Sequence, residues 1–134
     1  MITALYAGLL ALWVCKLIHG VAKLRRAHQI LLGDGGNPEL LAARSAHSNA
    51  VETIPIFLIL LYLFEISLSP LGTLGLCLLH FFGVLFIVGR VLHAQAILSD
   101  TIKKRLYGMQ ITVVSIATLA SANIALYVTQ LINM

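Results

Sequence analysis

The sequence predicts an all-α membrane protein, a four-transmembrane-helix bundle, on three observations. Of its 134 residues 60% are hydrophobic and only 10% charged, the mean hydropathy is +0.97, and the apolar residues gather into four stretches of spanning length. Soluble domains carry about 25% charged residues; this chain has too little polar matter to cover a globule in water, so lipid is its solvent. A single membrane domain over residues 1–134 accounts for the whole chain, with spans at approximately 2–21, 50–68, 71–92 and 106–132.

Crossing the hydrocarbon takes about 20 apolar residues of helix. Ile2 to Ile18 is the first such stretch, extendable through Gly20 and Val21. No positive charge precedes its apolar core, the first charged residue being Lys16, so it reads as a retained span and not as a signal peptide. The second core, Ile54 to Leu68, is broken only by Glu65 and can grow backward through Ala50 and Val51. Pro70 suits a tight turn into the third span, and Leu32-Gly33-Asp34-Gly35-Gly36-Asn37-Pro38 is the one strongly loop-like stretch.

All nine lysines and arginines lie in or beside the first and third connections. Lys16, Lys23, Arg25, Arg26 and Arg44 belong to the first, Arg90, Lys103, Lys104 and Arg105 to the third. By the positive-inside rule both connections face the cytoplasm and both termini lie on the non-cytoplasmic side. Topology thus accounts for the net charge of +4, and no nucleic-acid partner is implied. Cys15 and Cys77, each inside an apolar run on a different helix, read as buried apolar thiols and not as a disulfide framework. No His, Cys, Asp or Glu cluster has zinc-site spacing, and no glycine-rich phosphate loop occurs, so no metal is expected.

An ionised side chain at mid-bilayer costs at least ~2.5–3.5 kcal/mol, so the polar residues near the spans need a reason. Ser45, Asn49 and Glu52 fall at i, i+4 and i+7 and share a helix face, with Arg44 and His47 on the adjoining one. Arg90 and His93, three apart, face one way near the end of the third span. Lys103, Lys104, Arg105 and Tyr107 open the fourth. Two readings remain open from the residues alone: interfacial caps whose members satisfy one another, or a cationic pocket carrying one carboxylate and one amide. Such a pocket suits a small anion with an amino group, arginine recognising carboxylates and Glu52 an ammonium. His80 and Glu65, solitary within their spans, read as structural.

Arg44 followed by His47-Ser-Asn49-Ala-Val-Glu52-Thr-Ile-Pro55 resembles the second-helix signature of the MAPEG family, membrane-associated proteins in eicosanoid and glutathione metabolism. Gly89-Arg90-Val-Leu-His93 resembles their third-helix motif. Arg105-Leu-Tyr-Gly108-Met-Gln-Ile-Thr112 and the Gly33–Asn37 loop resemble the bacterial branch. The resemblance implies a homotrimer in the cell inner membrane, with glutathione as co-substrate held between subunits near the cytoplasmic face. It implies that Asn49 and Glu52 contact the peptide and that Lys23, Arg25 and Arg44 grip its carboxylates. The neighbouring subunit supplies Arg90, His93 and Arg105, with Tyr107 beside them. Arg105 is then the catalytic residue, holding the thiol as thiolate.

The implied partners are a second copy of the chain, membrane lipids and a lipophilic electrophile or hydroperoxide, making the protein a glutathione transferase or peroxidase. The alternative is a MAPEG-fold binding or structural module with little or no catalysis. The chain departs from better-characterised eukaryotic members at Ser48, Ile97 and Leu106, where they carry arginine, tyrosine, and serine or tyrosine.

Overall fold

The computed structural model describes residues 1–68 and 72–133. Four helices follow one another: α1 (Ile2–His28), α2 (Pro38–Ser67), α3 (Gly72–Leu98) and α4 (Ile102–Ile132). Among the described residues there is no strand, and all four helices are long and apolar enough to cross a membrane. The turn expected at Pro70 lies outside the described residues.

Each helix runs beyond the apolar stretch that announces it, and at the first connection the ends of α1 and α2 are set by caps. α1 continues to His28, which places Lys23, Arg25 and Arg26 on the helix and not in the first connection. It stops where Gln29 turns left-handed (φ 55°), with arginines and a histidine in its last turn favouring the helix dipole. α2 begins at Pro38 because Asn37 accepts a bond from the Leu40 N–H at 2.9 Å, Pro38 fits the first helical turn, and Glu39 follows. Between them the connection uses Gly33, Gly35 and Gly36 at positive φ, as its composition requires.

The chain runs up and down. Glu65 of α2 meets the start of α1, Tyr6 of α1 meets His80 of α3, and His93 of α3 meets Arg105 of α4. All the basic residues therefore gather at one end of the bundle. α2 packs against each of the other three helices and α3 packs mainly on α4, while α1 and α4 do not touch. Ala46, Ala50, Ile54, Phe57, Leu61 and Phe64 form the buried stripe of α2, and the Phe57 and Phe86 rings stack at 3.7 Å. Close approach relies on small residues: the Tyr6 ring lies where a side chain on Gly83 would go, and a Cβ on Gly89 would stand 2.8 Å from Ile111.

The two solitary polar residues within spans are structural, as expected. Glu65 accepts from the backbone N–H groups of Ile2 and Thr3, closing donors that the first turn of α1 would leave bare in lipid. The Tyr6 hydroxyl stands 2.9 Å from His80 Nδ1 and 3.2 Å from the His80 carbonyl. Glu65→Ala is expected to destabilise the bundle by about 1–2 kcal/mol, the usual worth of such a cap. Glu65→Gln, which keeps an acceptor, should lose less. Thermal unfolding of the two variants in one detergent checks this; equal losses would show that charge, not capping, is the contribution.

One expectation is corrected. Cys15 and Cys77 are free but exposed on the outer surface of the bundle, not buried. In a membrane the outward face is as apolar as the inward one, so apolar sequence neighbours do not mark the interior.

Candidate functional site

At the basic end, α1 and α2 diverge around a cleft of about 510 Å³. Val21 and Arg25, one turn apart on α1, form one wall; Leu41, Arg44, Ser45, His47, Ser48, Val51 and Glu52 of α2 form the other. The α2 residues recur at helical spacing, so the face is set by the period of the helix and its polarity by the chain.

The cleft carries two guanidinium groups, one imidazole and one carboxylate. Ser48 Oγ donates to Glu52 Oε1 at 2.8 Å, which fixes the carboxylate while leaving its remaining lone pairs for a ligand. Pro55 lies inside α2 and has no N–H, so the Val51 carbonyl, four residues earlier, loses its helical donor at a residue that lines the cleft.

Both arginines are held by the first connection. Arg25 Nη1 donates to the carbonyls of Ile30 at 3.3 Å and Leu31 at 3.0 Å, tying the start of the connection back onto α1. Arg44 Nη1 lies 3.6 Å from Asp34 Oδ1, with the two side chains 41% and 34% exposed. An ion pair that exposed is worth at most about 1 kcal/mol, so a ligand carboxylate can replace Asp34 readily.

The structure divides the expected site residues into two sets. Arg25, Arg44 and Glu52 come together in the cleft, with His47 and Ser45 beside them. Asn49 is half-buried and not among the residues lining the cleft, its Nδ2 donating to the Ser45 carbonyl of its own helix at 3.0 Å. Lys23 is exposed on α1 away from the cleft lining. His93, Arg105 and Tyr107 sit where α3 meets α4. His93 is 3% exposed, and its Nδ1 donates to the Arg105 carbonyl at 3.0 Å, leaving Nε2 as the acceptor nitrogen. The side chains of Arg105 and Tyr107 are exposed on the outside of the bundle. Arg90, 2% exposed, borders a separate groove between α1 and α3.

Ser48, where eukaryotic relatives carry arginine, stands i, i+4 from Glu52, and that spacing is the sequence signal for the bond between them. The family model described as the MAPEG family matches residues 3–125. The chain belongs to the MAPEG family. It is similar to "Inner membrane protein YecN" of Escherichia coli K12, at 32% identity over 124 residues, covering 92% of this chain and 91% of that protein. The protein of the same name from Escherichia coli O6:H1 strain CFT073 matches to the same extent. The match spans nearly the full length of both chains and so takes in residues of all four helices of this MAPEG chain.

Proposed function

We propose that the cleft binds glutathione and that the protein is a glutathione transferase or peroxidase acting on lipophilic electrophiles or hydroperoxides. The observation that carries this reading is the pairing of two guanidinium groups with one serine-held carboxylate in a cleft of about 510 Å³ at the basic end of the bundle. Glutathione presents one ammonium, two carboxylates and two amides. Glu52 takes the ammonium, Arg25 and Arg44 the carboxylates as Asp34 is displaced, and the Val51 carbonyl and Asn49 the amide groups.

The thiol then needs a cation. Arg105 projects from the outside of its own bundle and so serves a neighbouring subunit, with His93 and Tyr107 of that subunit around it, in a homotrimer. Membership of the MAPEG family supports that assembly. An ordinary thiol ionises near 8.5, and lowering this by about two units takes roughly 2.7 kcal/mol of preferential thiolate stabilisation, within reach of one arginine in a partly dry site. The thiolate attacks an electrophilic carbon, forming the C–S bond as the leaving group departs. With a hydroperoxide it attacks the terminal oxygen, breaking O–O and releasing the alcohol, and the sulfenic acid so formed condenses with a second glutathione to give disulfide and water.

The distribution of basic residues supports a cytoplasmic basic end, with both termini outside, and the name of the Escherichia coli relatives supports the inner membrane. Calorimetric titration of glutathione into detergent-purified protein tests the reading. Saturable binding is expected, weakened at least tenfold in Glu52→Gln and in Arg44→Ala, as the loss of a charge-assisted hydrogen bond of about 1.5–3 kcal/mol requires. No binding at millimolar glutathione sinks the reading. Binding without turnover of any electrophile or hydroperoxide leaves a binding module, a reading supported by the absence of Arg105 from the residues that line the cleft.

A further inference from the structure

A second opening, of about 330 Å³, lies between α1 and α3. Leu9, Leu12 and Ile87 line it toward the middle of the helices; Trp13, Lys16 and Arg90 line it toward the basic end. Arg90 is 2% exposed, and its Nε and Nη2 are enclosed with no hydrogen-bond partner. Trp13 Nε1 is likewise buried and unpartnered, and Lys16 Nζ sits 5.1 Å over the Trp13 ring.

A buried guanidinium without an anion is costly, and evicting one partner of such a pair typically costs about 3–5 kcal/mol. Within the chain no carboxylate comes within ion-pair distance of Arg90 among the described residues: Glu65 caps α1, Asp34 meets Arg44, and Glu52 lies in the other cleft. Arg90 stands about 27 Å along α3 from its first residue, toward the basic end, a length comparable to the ~30 Å hydrocarbon layer and so suited to reach the headgroup region. Leu9 lies about 10 Å from Lys16 along α1, toward the bilayer interior. Cations and an interfacial tryptophan at one end and an apolar trough at the other match an amphiphile with an anionic head.

We propose that the α1–α3 groove is a binding site for one anionic phospholipid. Its phosphate is held by Arg90, Lys16 and Trp13, and one acyl chain lies along Leu12, Leu9 and Ile87. The unmet N–H groups of Arg90 are the donors that phosphate oxygens accept, in the forked geometry guanidinium offers. With two cations and no carboxylate lining it, the groove discriminates against headgroups that carry their own ammonium. The assignment does not depend on glutathione binding, and it gives Arg90 a role within its own subunit.

The test titrates phosphatidylglycerol, phosphatidylcholine and inorganic phosphate separately into delipidated protein in a neutral detergent, reading bound lipid by native mass spectrometry and thermal stability alongside. Phosphatidylglycerol alone is expected to be retained and to raise Tm, as a ligand of the folded state must. Lys16→Glu, at an exposed position, should lower retention at least tenfold, whereas Lys103→Glu, an equal charge change elsewhere at the basic end, should not. Arg90→Met should be less stable than wild type in phosphatidylglycerol but no less stable in phosphatidylcholine. Equal retention of both lipids overturns the proposal, as does an equal effect of Lys103→Glu. A shift with inorganic phosphate as large as with the lipid makes the site one for free anions. Arg90→Met losing the same stability in both lipids shows a partner supplied by protein, and also overturns it.

Discussion

Gly108→Ala is expected to destabilise the bundle by about 1–3 kcal/mol, although alanine is the better helix former. A Cβ at position 108 would stand 2.5 Å from the backbone nitrogen of His93 and 2.8 Å from its Cα. Those atoms belong to the α3 backbone and cannot swing aside, so α3 and α4 must separate, and overpacking of this kind costs about 1–3 kcal/mol. The opposing gain from helix propensity is about 1 kcal/mol in water and smaller in lipid, where the helix is already enforced by the need to pair every backbone group. The clash therefore wins. Gly8→Ala is the control, because nothing lies within 4 Å of a Cβ there, and it should be neutral or slightly stabilising. Thermal unfolding of the two variants in one detergent decides; a stabilised Gly108→Ala would show that the α3–α4 contact is looser than the structure has it. The variant should also impair any activity, since the same contact fixes the His93 bond to the Arg105 carbonyl.

Arg105→Ala is expected to lower the rate of glutathione conjugation about 25-fold at pH 7 while changing affinity by no more than about threefold. The magnitude follows from ionisation. A thiol held near 6.5 by a cation is mostly thiolate at pH 7, and one returned to about 8.5 is only about 3% thiolate. The sign fixes the pH dependence: the arginine favours the anionic form, so its removal raises the thiol pKa, and the variant should recover as pH rises through about 8.5. A pH–rate profile of wild type and variant tests this directly. Loss of affinity equal to that of Glu52→Gln, or a profile that keeps its midpoint, would move Arg105 out of the thiol's surroundings and into binding.

Much of the fold is legible in the sequence because the membrane simplifies the problem. An apolar stretch of spanning length in lipid has one economical way to pair its backbone, so length and composition are enough to announce α1 to α4. The helix ends are less legible. Asn37-Pro38-Glu39 starts α2 well before its apolar core, and α1 carries Lys23 and Arg25 on a continued helix, because caps and dipoles extend helices that hydropathy alone would stop.

The candidate site was legible in part. The i, i+4, i+7 spacing of Ser45, Asn49 and Glu52 pointed to one face, and Ser45 and Glu52 do line the cleft. Asn49, a fraction of a turn away, instead bonds to its own backbone. Arg25 and Arg44 were expected beside them and are there, but their engagement by Ile30, Leu31 and Asp34 depends on how the glycine turns bring the connection back.

By itself, then, the sequence determined the solvent, the number of helices, the family and the end of the bundle at which charge collects. The tertiary structure alone decided which face of each helix turns inward. Lipid is as apolar as a protein core, so hydrophobic periodicity carries little information about direction in these spans. That is why Cys15 and Cys77 face out, why Arg90 is enclosed beside a groove of its own subunit, and why Ser48, unremarkable in the chain, came to hold the carboxylate at the centre of the cleft.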